Sequence, residues 1–275
     1  MRSPILLIAM HEFTLNRRNK WVVSFAGLFT LMTFLVSYFG MITSGYSGFQ
    51  DFTRTSASII NLSGFILPLF ALMLGVFSFI TNSEYLELLT TQPLTRKQLL
   101  LGKFTGLSFT IIGSTLVGFG IPGVIMSLVI GVQGAISFGI VVANSLILGL
   151  VFLAIALLIT LLTNRQQIAL GIAIAVWLFF ELFYGMIMMG MTLYFSHATL
   201  KTLLLFGLLG SPVDITRVLS LLAVGGPHLF GAAGATLIKM TGSTLHATLW
   251  GSLGLLIWLV IPLVISIRLF SRQNL

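Results

Sequence analysis

The chain has 275 residues, 57% of them hydrophobic and only 7% charged, where an ordinary soluble domain carries roughly a quarter charged. A surface this apolar cannot be covered with polar groups in water, so lipid must be its solvent, and six spans of about 20 residues would use most of the length. The formal charge of +8 does not mark a nucleic-acid binder, because Lys and Arg lie between apolar runs, where membrane orientation needs them, and not in one patch.

Met1-Arg2-Ser3-Pro4 leads into a short apolar run with no small-residue cleavage site before Trp21, unlike a signal peptide. Residues 4–19 set Leu6, Ala9, Met10 and Phe13 along one imperfect helical stripe, among His11, Glu12, Arg17 and Arg18. That predicts an interfacial helix too short to span. Lys20-Trp21 marks the water–lipid boundary, and spans are expected at about 21–41, 57–80, 104–130, 136–162, 168–195 and 248–269. Polar stretches at 43–55, 81–103, 163–167 and 196–245 separate them, with a tight turn at Gly131-Val132-Gln133-Gly134. One face of this arrangement holds Arg2, Arg17, Arg18, Lys20, Arg96, Lys97, Lys103, Arg165, Arg268 and Arg272; the other holds Arg54, Lys201, Arg217 and Lys239. The positive-inside rule makes the richer face, and both termini, cytoplasmic.

Several motifs fail on context. Gly118-Phe119-Gly120-Ile121-Pro122-Gly123 has dinucleotide-loop spacing but falls inside a span, so it reads as a kink with close helix packing. Gly102-Lys103 ends no phosphate-binding loop, since Lys97 stands where the first glycine belongs and Phe104 where the hydroxyl belongs. Any ATP drive must come from another subunit. His11-Glu12 lacks the second histidine of a zinc-protease helix, with Leu15 in its place, and the four histidines are scattered. Cysteine is absent, which excludes disulfides and thiolate metal sites. No metal site is expected. Met186, Met188, Met189 and Met191 could offer soft thioethers to Cu(I) or adaptable packing where helices slide. Glu181, deep in the fifth span, should face the protein interior or a water-filled cavity. It serves either a gate or path, together with Met188 and Met189, or a structural hydrogen bond. Asp214 and Arg217, three apart, can pair on one helix face.

The stretch 81–103 is the most informative. Asn82 or Ser83 can cap a short helix on which Leu86 and Leu89 share a face, and Pro93 stops it. Thr95 with Gln98 forms a capping box that starts the next helix, which runs on into the third span. The exposed leucines fit docking into another protein's groove, or a plain surface loop.

The run Glu84…Leu86-Glu87-Leu88-Leu89…Pro93…Arg96…Leu99-Leu100-Leu101-Gly102-Lys103 resembles the hallmark of ABC-2 type permeases, and Ile8 through Trp21 resembles their elbow helix. Glu84-Tyr85 stands where that family often has Gly-Thr. The resemblance implies an all-α integral membrane fold over 1–275, with six transmembrane helices, an elbow helix in 1–20, a cytoplasmic coupling region at 81–103 and an extracytoplasmic segment at 196–245. It implies ATPase-coupling contacts at Glu84, Tyr85, Leu86, Glu87, Leu89, Arg96, Asn164, Arg165 and Gln166. Ser211-Pro212-Val213-Asp214-Ile215-Thr216-Arg217-Val218-Leu219 is similar to a Pro-Val-Asp-x-x-Arg segment in the permeases of nitrous oxide reductase maturation systems. That likeness implies a homodimer in the bacterial inner membrane, two copies of a NosF-like ATPase that bind ATP and Mg, and a NosD-like periplasmic protein met by Pro212, Asp214 and Arg217. No cofactor of its own and no enzymatic activity are implied. The alternative within the family is a general exporter of lipid, drug or peptide.

Overall fold

A computed structural model of the chain describes residues 3–43, 49–80, 95–130, 132–163, 165–194, 203, 206–225 and 243–272. Among the described residues every regular element is helical: α1 (Pro4–Arg17), α2 (Lys20–Thr43), α3 (Phe49–Ile80), α4 (Arg96–Ile130), α5 (Val132–Thr163), α6 (Gln166–Leu178), a π-helical turn (Phe179–Phe183), α7 (Tyr184–Tyr194), α8 (Pro212–Gly225) and α9 (Thr244–Arg272). Lipid leaves a spanning backbone few other ways to satisfy its own N–H and C=O groups. Among the described residues six stretches are long and apolar enough to cross a bilayer: Lys20–Gly40, Thr53–Phe79, Arg96–Val124, Gly134–Thr163, Gln166–Met191 and Thr244–Ser271. The chain is thus a multi-pass membrane protein with the six spans expected.

α5 is the centre of the bundle, packing against α3, α4, α6, α8 and α9. Leu148, Val151, Phe152, Leu153, Ala154, Ala156 and Leu157 are all shut off from the outside, as befits a helix apolar on every side. The other spans meet it, and each other, at small residues. A Cβ on Gly75 would run into Ala156 of α5, and one on Gly149 would press on Ile111 of α4. Gly118 of α4 receives the ring of Phe29 from α2, while its carbonyl accepts a hydrogen bond from Thr33 Oγ1 at 2.7 Å. The glycine-rich run at 118–123 is therefore a packing surface, with Gly123 against Phe138 and Gly120 facing open space.

In two elements the structure shows what periodicity alone does not. In α1, of Leu6, Ala9, Met10 and Phe13 only Ala9 is buried; Leu6 and Met10 are exposed, and Phe13 meets Phe109 edge-on. The stripe turned to α4 is Ile8, Ala9, Glu12 and Asn16, because Gly102 and Gly106 on the helix beneath leave room for the two backbones to approach. Within 196–245, α8 is too short to cross, at about 21 Å, yet it is buried along most of its length. It wedges among α3, α5 and α9, with Val213 over Gly64, Ile215 at Gly254, Leu219 at Gly251, and Ser220 accepting from Asn144 Nδ2 at 3.3 Å.

Gly118→Leu should overpack the α2–α4 contact by about 1–3 kcal/mol, whereas Gly120→Leu, with nothing within 4 Å, should be nearly neutral. Intrinsic tryptophan fluorescence during heating in detergent checks the pair: a clear drop in melting temperature is expected for the first variant alone.

Candidate functional site

The described residues gather ion-paired charge in two clusters, one at the α1 end of the bundle and one deeper in the fifth span. At the end that holds α1 and the close of α9, Ile8, Leu99, Leu100, Leu157 and Phe270 form one apolar cluster. On it sits the start of α4, set by the expected capping box. Thr95 N–H donates to Gln98 Oε1 at 3.0 Å, and Gln98 N–H donates to Thr95 Oγ1 at 3.3 Å. α4 is consequently helical from Arg96, well ahead of the apolar run that begins near Phe104.

α1 lies directly on this first stretch of α4. A Cβ on Gly102 would meet Ile8, and one on Gly106 would meet the carbonyl of Ala9 and the Cβ of Glu12. The four-residue spacing puts both glycines on one face, the small-xxx-small arrangement that lets two backbones touch. Between them Lys103 reaches back to Glu12, Nζ to Oε1, at 3.7 Å, with both side chains about 2–3% exposed. That distance gives charge attraction without a hydrogen bond. The ammonium also lies 5.6 Å from the centre of the Phe79 ring at the end of α3. Burial pushes the Glu12 carboxyl above its usual range, a rise that the nearby Lys103 and His11 partly offset. One ion pair thus ties α1, α3 and α4 together.

The second site lies away from the α1 end, at the π-helical turn. Glu181 lies in the π-helical turn, about 22 Å along the span from Gln166, so it is well inside the hydrocarbon region. Arg217 of α8 answers it, Nη2 to Oε1, at 3.4 Å, and the same guanidinium holds Asp214 Oδ1 at 3.3 Å. Burial raises the Asp214 carboxyl above its ordinary range; the Ser211 hydrogen bond and Arg217 pull the other way. Ser211 Oγ accepts from the Asp214 N–H at 3.2 Å and caps α8. Around this triad the segment 206–211 is clamped: Tyr184 Oη donates to the Gly207 carbonyl, and Trp258 Nε1 donates to the Leu209 carbonyl at 3.0 Å.

Of the residues expected to couple to an ATPase, Glu84, Tyr85, Leu86, Glu87, Leu89 and Asn164 lie outside the described residues. Arg96 opens α4 half-buried, Arg165 is the exposed cap of α6, and Gln166 is that helix's first residue, all at the α1 end. Pro212 is buried at the first position of α8, while Asp214 and Arg217 remain partly exposed. Glu181 joins those two, an association across 36 positions of sequence. Met188 packs against Gly207, and Met189 points outward. The Glu12–Lys103 pair is the functional feature that periodicity and motif searching pass over. Its signal is the Gly102–Gly106 spacing around a lysine at the entry to a span.

A six-span helical bundle with a short helix clipped to one span is the architecture of a polytopic membrane protein. The chain belongs to the ABC-2 family: residues 6–275 match the model described as ABC-2 family transporter protein. It is 34% identical over 272 residues to the "Probable ABC transporter permease protein NosY" of Pseudomonas aeruginosa, with 97% of each chain covered. It is 31% identical over 272 residues to the protein of the same name from Stutzerimonas stutzeri, again with 97% of each covered.

Losing one partner of a buried ion pair strands the other, at about 3–5 kcal/mol, while replacing both by neutral groups of similar shape restores much of the loss. Glu12→Gln and Lys103→Met should each lower the melting temperature and the yield of monodisperse protein, and the double variant should recover most of both. Equal losses in all three would remove the pair as the source of the stability. At the second site, Arg217→Gln leaves two carboxylates facing each other and should destabilise more than Glu181→Gln; the same melting assay reads the order.

Proposed function

We propose that this chain is the membrane permease of an ATP-driven transporter that supports assembly of the copper–sulfur cluster of nitrous oxide reductase. It does so by exporting a sulfur species or by transmitting force to a periplasmic partner. The naming of both relatives, matched along 97% of their length, supports the system. What carries the mechanical part is α4: one helix that starts at the Thr95 capping box, next to residues 81–94, and continues through the span while clipped to α1.

In this reading two copies of the permease form a homodimer in the inner membrane, with both termini cytoplasmic. Two NosF-like subunits bind ATP and Mg below it, and a NosD-like protein sits on the outer face. Closure of the ATPases pushes on a coupling helix around Glu84, Tyr85, Leu86, Glu87 and Leu89, and on the turn at Asn164, Arg165 and Gln166. Arg96 follows at the base of α4. The push reaches the outer face through α4 and the bundle, where Asp214 and Arg217 contact the periplasmic partner next to Pro212, and Glu181 with Met188 and Met189 borders the path or gate. A transmitted push does work only by favouring one of two packings over the other.

Leu86→Glu with Leu89→Glu should leave the permease folded while maturation of the reductase falls at least tenfold, read from the absorption of its copper–sulfur centre in cells. Full maturation by the double variant would reject the docking segment. Purification from native membranes tests the wider assignment: a nucleotide-hydrolysing subunit should copurify, and its absence would reject the whole reading.

A further inference from the structure

The described residues enclose a partly open cavity of about 550 Å³ at the α1 end of the bundle, and the transport mechanism makes no use of it. Glu12, Leu15, Asn16 and Asn19 line one side, from the close of α1 and the turn into α2; Met73, Leu74, Phe77 and Ser78 line the other, from the close of α3. Both sets repeat at helical spacing, so two helix faces oppose each other across the space. Trp21 completes the wall and meets Phe77 edge-on, ring centres 6.5 Å apart. The volume falls within the ~300–1,000 Å³ that bound small molecules fill.

The lining sorts by polarity. Amide and carboxyl groups come from the α1–α2 side, and apolar side chains come mainly from α3 and Trp21. Asn19 holds the turn itself, its Oδ1 accepting from the Trp21 N–H at 3.0 Å. The same turn carries Arg17, Arg18 and Lys20, all exposed. Glu12 is the one acid in the wall, and its charge is answered from behind by Lys103. These three cations do not line the cavity but put positive charge on the turn at its edge, at the level where an interfacial tryptophan places the headgroups. A space with an apolar floor, an amide-rich rim and three cations beside it matches an amphiphile with an anionic head.

We propose that this cavity binds one anionic phospholipid per chain. Its phosphate sits at the Asn16–Lys20 turn, and part of an acyl chain lies between Trp21 and the Met73–Phe77 face. Bound there, the lipid bridges α1 to α3 beside the contact of α1 with α4.

The test uses the full chain in nanodiscs of phosphatidylcholine doped with phosphatidylglycerol. The background is Trp177→Phe, Trp250→Phe and Trp258→Phe, which leaves Trp21 as the reporter. Phosphatidylglycerol with brominated chains should quench Trp21 at a several-fold lower mole fraction than brominated phosphatidylcholine. Arg17→Gln, Arg18→Gln and Lys20→Gln together should abolish that preference, and Met73→Trp in the wild-type background should expel the lipid that native mass spectrometry finds retained. The wild-type protein gives that mass-spectrometric reading even if the triple tryptophan variant fails to fold: one phosphatidylglycerol per chain supports the site. Equal quenching by both lipids, a preference that survives loss of the three cations, or relief of quenching by inorganic phosphate alone overturns it. So does the absence of quenching by either lipid, the result expected if a second copy of the chain covers the cavity.

Discussion

Helices in lipid cannot be driven together by burying apolar surface, since the tails around them are as apolar as the helices, and contact depends on how closely backbones can approach. This constraint explains where the glycines of the bundle sit. Gly75 lets α3 reach Ala156, Gly149 brings α5 to Ile111, Gly118 admits Phe29, and Gly251 with Gly254 receives α8. Gly102 and Gly106 do the same for α1. Where a glycine meets nothing, as at Gly27, Gly139 and Gly171, no described helix is packed at that point.

Polar groups follow the same logic. A hydroxyl in the hydrocarbon region needs a partner, and most of those described find it one turn back along their own helix. Thr30, Thr105, Ser108, Thr110, Ser114, Ser145, Thr216 and Ser266 each donate to the carbonyl four residues earlier. Such bonds satisfy a side chain without joining two elements. Polar contacts between elements carry position: Thr33 to Gly118, Ser63 with Ser145, Asn144 to Ser220, Trp177 to the Phe65 carbonyl, Tyr184 to Gly207, Trp258 to Leu209, and the two ion-paired clusters. The charges sit where chains must be held in register, at the join of α1 to α4 and of α8 to the π-helical turn.

Span number and order were legible because hydropathy reports the solvent directly, and the start of α4 was legible because a capping box is local, Thr95 to Gln98. The face of α1 was not. Its apolar residues are spread around the helix, and the choice among them is made by Gly102 and Gly106, about ninety positions away. Glu181 shows the same divide. That an acid at such depth must have a partner follows from the cost of leaving it bare; that the partner is Arg217 follows only from how α8 is inserted. The burial of α8 itself had no clear local mark, since Asp214 and Arg217 within fourteen residues make it look like surface.

The two kinds of contact divide the bundle mechanically. Charge pairs resist separation, and a helix resists bending, so α1 with the first turns of α4 should move as one piece wherever Thr95 is pushed. Glycine-on-alanine or glycine-on-ring contacts carry no directional bond, so Gly75 against Ala156 and Gly251 under Leu219 can slip by small amounts without breaking anything. α5, enclosed through its middle, is the post past which the others slide. A π-helical turn holds one residue more than an α-turn and can hand it on along the helix. That places the give in the fifth span at Phe179–Phe183, beside the arginine that connects it to α8. A displacement entering at α4 would therefore be taken up by slip at the glycine contacts and by the π-helical turn, while the Glu181–Arg217 pair carries the movement of that turn to α8.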